Sequence, residues 1–162
     1  MRFVQRYVMC GVAAVLCGAA FSAVAAETID ARIGTWSHCE DVPKTDPNLA
    51  PPNVTITFEA AGKGSHTVVT GVDDNGSPFT MEYTAMFDGK DYPVKGAPWA
   101  DTVSLKLIDS RTTIRTDKKD GKVVLTLKGV VSKDGKTFTV TRKAMEPNGE
   151  SVTATSVCQR QS

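Results

Sequence analysis

The sequence lacks an excess of charge of either sign: 19 Lys+Arg stand against 18 Asp+Glu, a net charge of +1. A dedicated nucleic-acid binder carries a clear basic excess, so no nucleic-acid partner is expected. Histidine is scarce, with two in 162 residues. The HExxH, CxxC, GxSxG and Walker signatures are missing. No catalytic residue, metal ligand or cofactor is therefore assigned, and an enzyme is not expected. Helical periodicity is missing too, since after Ala26 no window repeats its apolar residues at helical spacing. The remaining composition, 41% hydrophobic and 23% charged, is an ordinary globular mix of a length that suits one domain.

The first 26 residues read as a cleaved secretory signal peptide (1–26). Arg2 and Arg6 form a basic start, Val8–Ala20 is an apolar run, and Ala23-Val-Ala-Ala26 offers small residues for cleavage. Tyr7–Ala26 is free of charge and about as long as a spanning helix requires. Its Ala/Gly content and the small-residue end favour cleavage over a retained anchor, so no stable membrane insertion is expected. An acylated cysteine is disfavoured, because Leu16 precedes Cys17 and Met9 precedes Cys10. Residues 27–162 are then one domain, periplasmic or secreted. They keep two cysteines, Cys39 and Cys158, which in an oxidising compartment are expected to pair.

Thr and Val are abundant after the leader, and β-branching suits both to strands. Asn75-Gly76, Asp88-Gly89, Asp120-Gly121, Asp134-Gly135 and Asn148-Gly149 are pairs that reach the positive φ angles of tight hairpins. The intervals predict strands at about 32–38, 53–60, 65–73, 78–87, 91–95, 102–108, 111–118, 122–132, 136–144 and 150–159. Several alternate. Val54, Ile56 and Phe58 share a face, as do Phe79, Met81, Tyr83, Ala85 and Phe87. The same holds for Val103, Leu105 and Leu107, for Val123, Leu125, Leu127 and Val131, and for Phe138 and Val140. Thr, Lys, Glu and Ser occupy the opposite faces, so one face is dry and the other wet. With no amphipathic helix to cover it, such a sheet must close or pair with another layer. Sequential hairpins predict an all-β, antiparallel up-and-down barrel of about eight to ten strands. Segment 39–52, with four of the eight prolines, is the one long connection.

The Gly34-Thr35-Trp36 start of the first strand resembles the calycins, which include the lipocalins and fatty-acid-binding proteins. YTAMFDGKDYPVKG (83–96), ADTVSLKLID (100–109), KKDGKVV (118–124) and VSKDGKTFTVT (131–141) resemble a family of exported bacterial lipocalin-like proteins without an established activity. The resemblance covers most of 32–160 and implies an exported lipocalin-like barrel, without a known substrate. The chain departs from that pattern at SHCEDVPK (37–44), where a Lys-Ser-type stretch without Cys is expected. In calycins a basic residue of the last strand packs over the first-strand Trp. The resemblance thus gives Gly34, Trp36 and Arg160 structural roles, with Arg142 the second candidate for the stacking cation.

Other constellations read as ordinary structure. His38 and Cys39 would point to opposite strand faces, and His66 reads as a surface residue. Asp73, Asn75, Gly76 and Glu82 fit a calcium loop in part, but Gly71 occupies the first ligand position. Arg115–Lys122 alternates in sign at a hairpin tip and reads as a solvated turn. Asn53-Val-Thr55 and Asn75-Gly-Ser77 are glycosylation sequons only in form.

Two functions remain open. One is binding of a small apolar ligand inside the barrel, through Phe58, Phe79, Tyr83, Trp99, Leu105, Leu127 and Phe138. The same side chains are bulky enough to fill a small barrel instead. The other is a protein-binding envelope module acting through rim loops 39–52 and 96–101. Parity bears on Trp99: if 91–95 crosses the barrel, loops 39–52, 73–77 and 96–101 share one rim and bring Phe79 and Trp99 together. The cysteines pose a topological question. With an even strand count the first and last strands run antiparallel, so Cys39 and Cys158 meet only under one of three conditions. The closing register is staggered, 39–52 folds back, or the strand count is odd.

Overall fold

The computed structural model describes residues 30–41, 54–72, 76–145 and 149–162. The leader 1–26, both sequon asparagines, Asp73 of the calcium-loop match and Asn148 lie outside the described residues. The described chain is all-β. Its strands are β1 (Gly34–Asp41), β2 (Thr55–Ala61), β3 (Gly64–Val72), β4 (Pro78–Met86), β5 (Tyr92–Lys95), β6 (Thr102–Asp109), β7 (Thr112–Lys119), β8 (Lys122–Val131), β9 (Thr137–Met145) and β10 (Ser151–Arg160). Each pairs antiparallel with its sequence neighbour, and β1 pairs with β10, closing a ten-strand up-and-down barrel. This architecture is compatible with a calycin-like fold. β5 is a real crossing strand, paired with β4 at Tyr83–Val94 and with β6 at Tyr92–Val103.

Two buried clusters pack part of the interior. One joins Trp36, Phe58, Val131, Phe138, Val140 and Cys158; the other gathers Met81, Tyr83, Ala85, Val103 and Leu105 under Ala97 and Ala100. Gly96, at φ +71°, lets the β5–β6 connection cross tightly over β4, since a Cβ there would lie 1.8 Å from the Thr80 carbonyl oxygen.

The expected ends of the first strand were displaced. β1 runs on through Cys39 to Asp41, so the long connection begins at residue 42, not at 39. The reason is a β-bulge. Ser37 pairs with Gln159 and Glu40 with Val157, leaving one extra residue on β1, and His38 takes φ 50° to accommodate it. β1 pairs only with Ser156–Arg160 of β10, whereas β9 pairs from Ser151 onward. The closing register is therefore staggered, with an even strand count. It sets the Cα atoms of Cys39 and Cys158 3.9 Å apart, joined as a disulfide across the seam. Thiol titration of the denatured, unreduced 27–162 chain is expected to find no free thiol; two per chain would contradict the bridge.

A second bulge corrects the reading of β8. Asp117 pairs with Leu125 but Lys118 with Val123, so Val124 is the extra residue. Alternation restarts there, and Val123, expected to share the inner face of Leu125, is 45% exposed.

Candidate functional site

One end of the barrel is plugged. Asp30 accepts hydrogen bonds from the Arg32 backbone N–H, Nε and Nη2 at 3.0, 3.0 and 2.8 Å. The paired guanidinium lies 4.5 Å from the Phe58 ring centroid and 5.5 Å from that of Phe87. The Arg32 carbonyl accepts the Trp36 indole N–H at 2.7 Å. Arg160 stacks over Trp36 at 4.1 Å and donates to the carbonyls of Ala31, Ile33 and Gly135 at 2.7, 2.8 and 2.6 Å. Gly34 sits under that guanidinium at φ +124°, where a Cβ would lie 2.7 Å from Arg160 Nη1. Arg160, not Arg142, is thus the cation over the indole. Arg142 sits beside Asp41 and Ser156, because the inward parity of β9 that starts at Phe138 and Val140 continues to it.

Above the plug lies a small void of about 50 Å³, lined by Phe58, Thr67, Tyr83, Thr113 and Phe138 among others. Arg115 spans the barrel beyond it. Its Nε and Nη2 donate to the two oxygens of Asp117 at 2.6 and 2.5 Å, and its guanidinium carbon lies 5.3 Å from the Tyr83 ring centroid. Burial works against the Arg115 charge, but the Asp117 carboxylate, and then Tyr83, outweigh it and hold the proton more firmly than in a free guanidinium. This overturns the solvated-turn reading for two members of the 115–122 cluster. Thr113, Arg115 and Asp117 lie two apart on β7, so they share the inner face, and Asp117 is fully buried. Strand parity was the available signal; the density of nearby charges concealed it.

The opposite half of the barrel holds a cavity of about 560 Å³. It reaches the end of the barrel at which β1, β3, β5, β7 and β9 finish, where its lining residues Trp99 and Met145 are exposed. Because β5 crosses, Trp99 lies at the same end as Phe79, and the two rings meet edge to face at 6.2 Å. The Trp99 indole N–H points down to Asp117 Oδ2 at 3.3 Å, tying the rim to the interior ion pair. Val54, Ile56, Val69, Leu125, Leu127 and Val140 make much of the wall apolar.

The wall also carries the disulfide and a polar group. Arg142 Nη2 donates to Asp41 Oδ1 at 3.0 Å and to Ser156 Oγ at 2.5 Å, and Ser156 Oγ in turn contacts Asp41 Oδ1. Arg142 Nε is buried with no hydrogen-bond partner among the described residues. Burial pushes this guanidinium below its ordinary range, with Asp41 acting in the opposite sense.

The sequence-derived ligand candidates separate into three groups. Phe79, Trp99 and Leu127 line the large cavity. Phe58, Tyr83 and Phe138 border the small void and do not line the large cavity: the Phe58 and Phe138 rings pack together beside Trp36, and the Arg115 guanidinium lies over the Tyr83 ring. Leu105 is fully buried in the Met81–Tyr83–Val103 cluster and borders neither space. Of the two rim segments, 96–101 is described and contributes Pro98 and Trp99 to the cavity; 42–52 lies outside the described residues. Cys39 is committed to its disulfide and His38 hydrogen-bonds Ser37 Oγ at 3.0 Å. No group of three or more metal-ligating side chains converges among the described residues. Comparison with known protein families, with curated proteins and with solved structures finds no match for this chain.

Proposed function

We propose that this protein is an exported carrier or receptor for one small, predominantly apolar molecule held in the rim-side cavity. The cavity itself carries the reading. Its volume of about 560 Å³ is that of a small-molecule site, its wall is mostly aliphatic and aromatic, and its base is closed by packed side chains. A barrel filled throughout by its own residues would leave no such space. The signal-like order of residues 1–26 and the Cys39–Cys158 bridge support work in an oxidising, extracytoplasmic compartment.

N-phenyl-1-naphthylamine, an uncharged fluorophore that brightens in apolar surroundings, tests this. One saturable site per chain is expected, with Leu127→Trp, which pushes an indole into the cavity, weakening it at least about tenfold. Non-saturable binding to the wild-type chain, or binding indifferent to Leu127→Trp in a variant that still folds, would refute the reading.

A further inference from the structure

The seam that closes the barrel is held unevenly along its length. Toward the plug, β1 pairs with β2 through Gly34–Trp36 and with β10 at Trp36–Arg160 and Ser37–Gln159. The Arg160 guanidinium ties that end to the carbonyls of Ala31, Ile33 and Gly135. Between Ser37 and Glu40 the bulge interrupts the ladder, and the Cys39–Cys158 bridge spans the interruption. Beyond it β1 meets β10 at two paired positions, Glu40–Val157 and Asp41–Ser156, and has no ladder to β2 among the described residues. Its further ties there run from the Asp41 carboxylate to Arg142 and Ser156. A short segment paired on one side and cut off by a bulge has little backbone pairing of its own, so it is drawn from the low-stability end of the fold.

The same segment is part of the cavity. Cys39 of β1, Ser156 and Cys158 of β10 and Arg142 of β9 line it together, so the bridge joins two strands of one wall. The two cysteines are not equally anchored. Cys158 is 1% exposed and belongs to the buried cluster of Trp36, Phe58 and Phe138, whereas Cys39 is half-buried and packs against that cluster from its edge. Breaking the bridge therefore frees the β1 side. Displacing Cys39 from the wall admits water to an apolar site, which removes the driving force for an apolar ligand.

We propose that the Cys39–Cys158 bridge is a redox latch on the cavity wall. The oxidised protein holds its ligand; the reduced protein stays a folded barrel, closed at the plug, but releases His38–Asp41 from β10 and with it the ligand. The inference rests on the carrier reading above and deepens it by naming what regulates the site. The chemistry is exchange with an external dithiol–disulfide couple. In reduction the dithiol gives up two protons and two electrons and its sulfurs join, while the bond between Cys39 and Cys158 is replaced by two S–H groups. Oxidation by an external disulfide runs the same exchange backwards. A reducing compartment thus keeps the site empty, and loading begins where the bridge forms.

Naphthylamine titration and amide hydrogen exchange test this on three proteins: the oxidised chain, the chain reduced in urea and refolded with dithiothreitol, and Cys39→Ser/Cys158→Ser. Reduction in urea removes any dependence on reagent access. The reduced and double-serine proteins are expected to bind the dye at least about tenfold more weakly than the oxidised one, with reoxidation by oxidised glutathione restoring the reduced chain. Exchange is expected to quicken at Cys39–Asp41 while Gly34–Trp36 stays protected. Equal dye affinity in the oxidised and the folded reduced protein overturns the latch and leaves the carrier reading in place. Unchanged protection at Cys39–Asp41 overturns it too. Loss of the far-ultraviolet β signal on reduction and in the double-serine protein makes the bridge a staple of the whole barrel, which also overturns a local latch. Failure of the oxidised protein to bind the dye removes the carrier reading and this inference together.

Discussion

Trp36→Ala is expected to destabilise the barrel by about 3–5 kcal/mol, the range for deleting a large, fully buried aromatic side chain. Trp36 is 0% exposed. Three interactions would be lost together: the indole N–H bond to the Arg32 carbonyl, the Arg160 stack and the ring contact with Phe138 at 5.4 Å. The space left would lie among Phe58, Val131, Phe138 and Cys158, which are held by four different strands and the disulfide. Such a frame collapses poorly, which places the loss toward the upper part of the range. Urea denaturation followed by far-ultraviolet circular dichroism measures it. A loss below about 1 kcal/mol, the size of a surface substitution, would refute the plug as described.

Asp117→Ala should be comparably damaging, at about 3–5 kcal/mol, for an electrostatic reason. It removes little volume but leaves the Arg115 guanidinium inside the barrel without its carboxylate. Trp99 loses its acceptor in the same step, so its emission should change as well. The double variant Arg115→Leu/Asp117→Leu separates causes, since replacing both charges leaves no unpaired ion. It should be more stable than Asp117→Ala alone. Equal losses in the single and double variants would show that packing, not the stranded charge, sets the effect. Equilibrium unfolding of the three proteins under one set of conditions gives the comparison.

The strands could be read from the sequence because each is bounded locally. Asp-Gly and Asn-Gly pairs mark the turns, and Val, Leu, Phe and Thr alternate between them, so both signals lie within a few residues of the strand they define. The alternation of Phe79, Met81, Tyr83 and Ala85 in β4 became an inward face as expected. The bulges at His38 and Val124 carry no such local mark. Each arises from the register of a partner strand, and one extra residue reverses every side chain beyond it. Val123 turned outward for that reason. The same bulge logic brought Cys39 beside Cys158.

The candidate site was legible in part. Crossing parity was sufficient to bring Phe79 and Trp99 to one rim once β5 formed. Arg115 and Asp117 were passed over as interior groups because a charged side chain in a polar neighbourhood reads as solvated, and Arg142 was singled out only as the second candidate for the cation over Trp36. Only the closed barrel shows which cation faces which carboxylate. By itself, then, the sequence determined the strand order, the hairpin connections and the alternation of apolar faces, since these depend on neighbours in the chain. The tertiary structure alone decided the closing register, the pairing of interior charges and the volume left between Arg115 and the rim. Those depend on distances between strands far apart in sequence, and a void is a property of how side chains from many strands fail to meet.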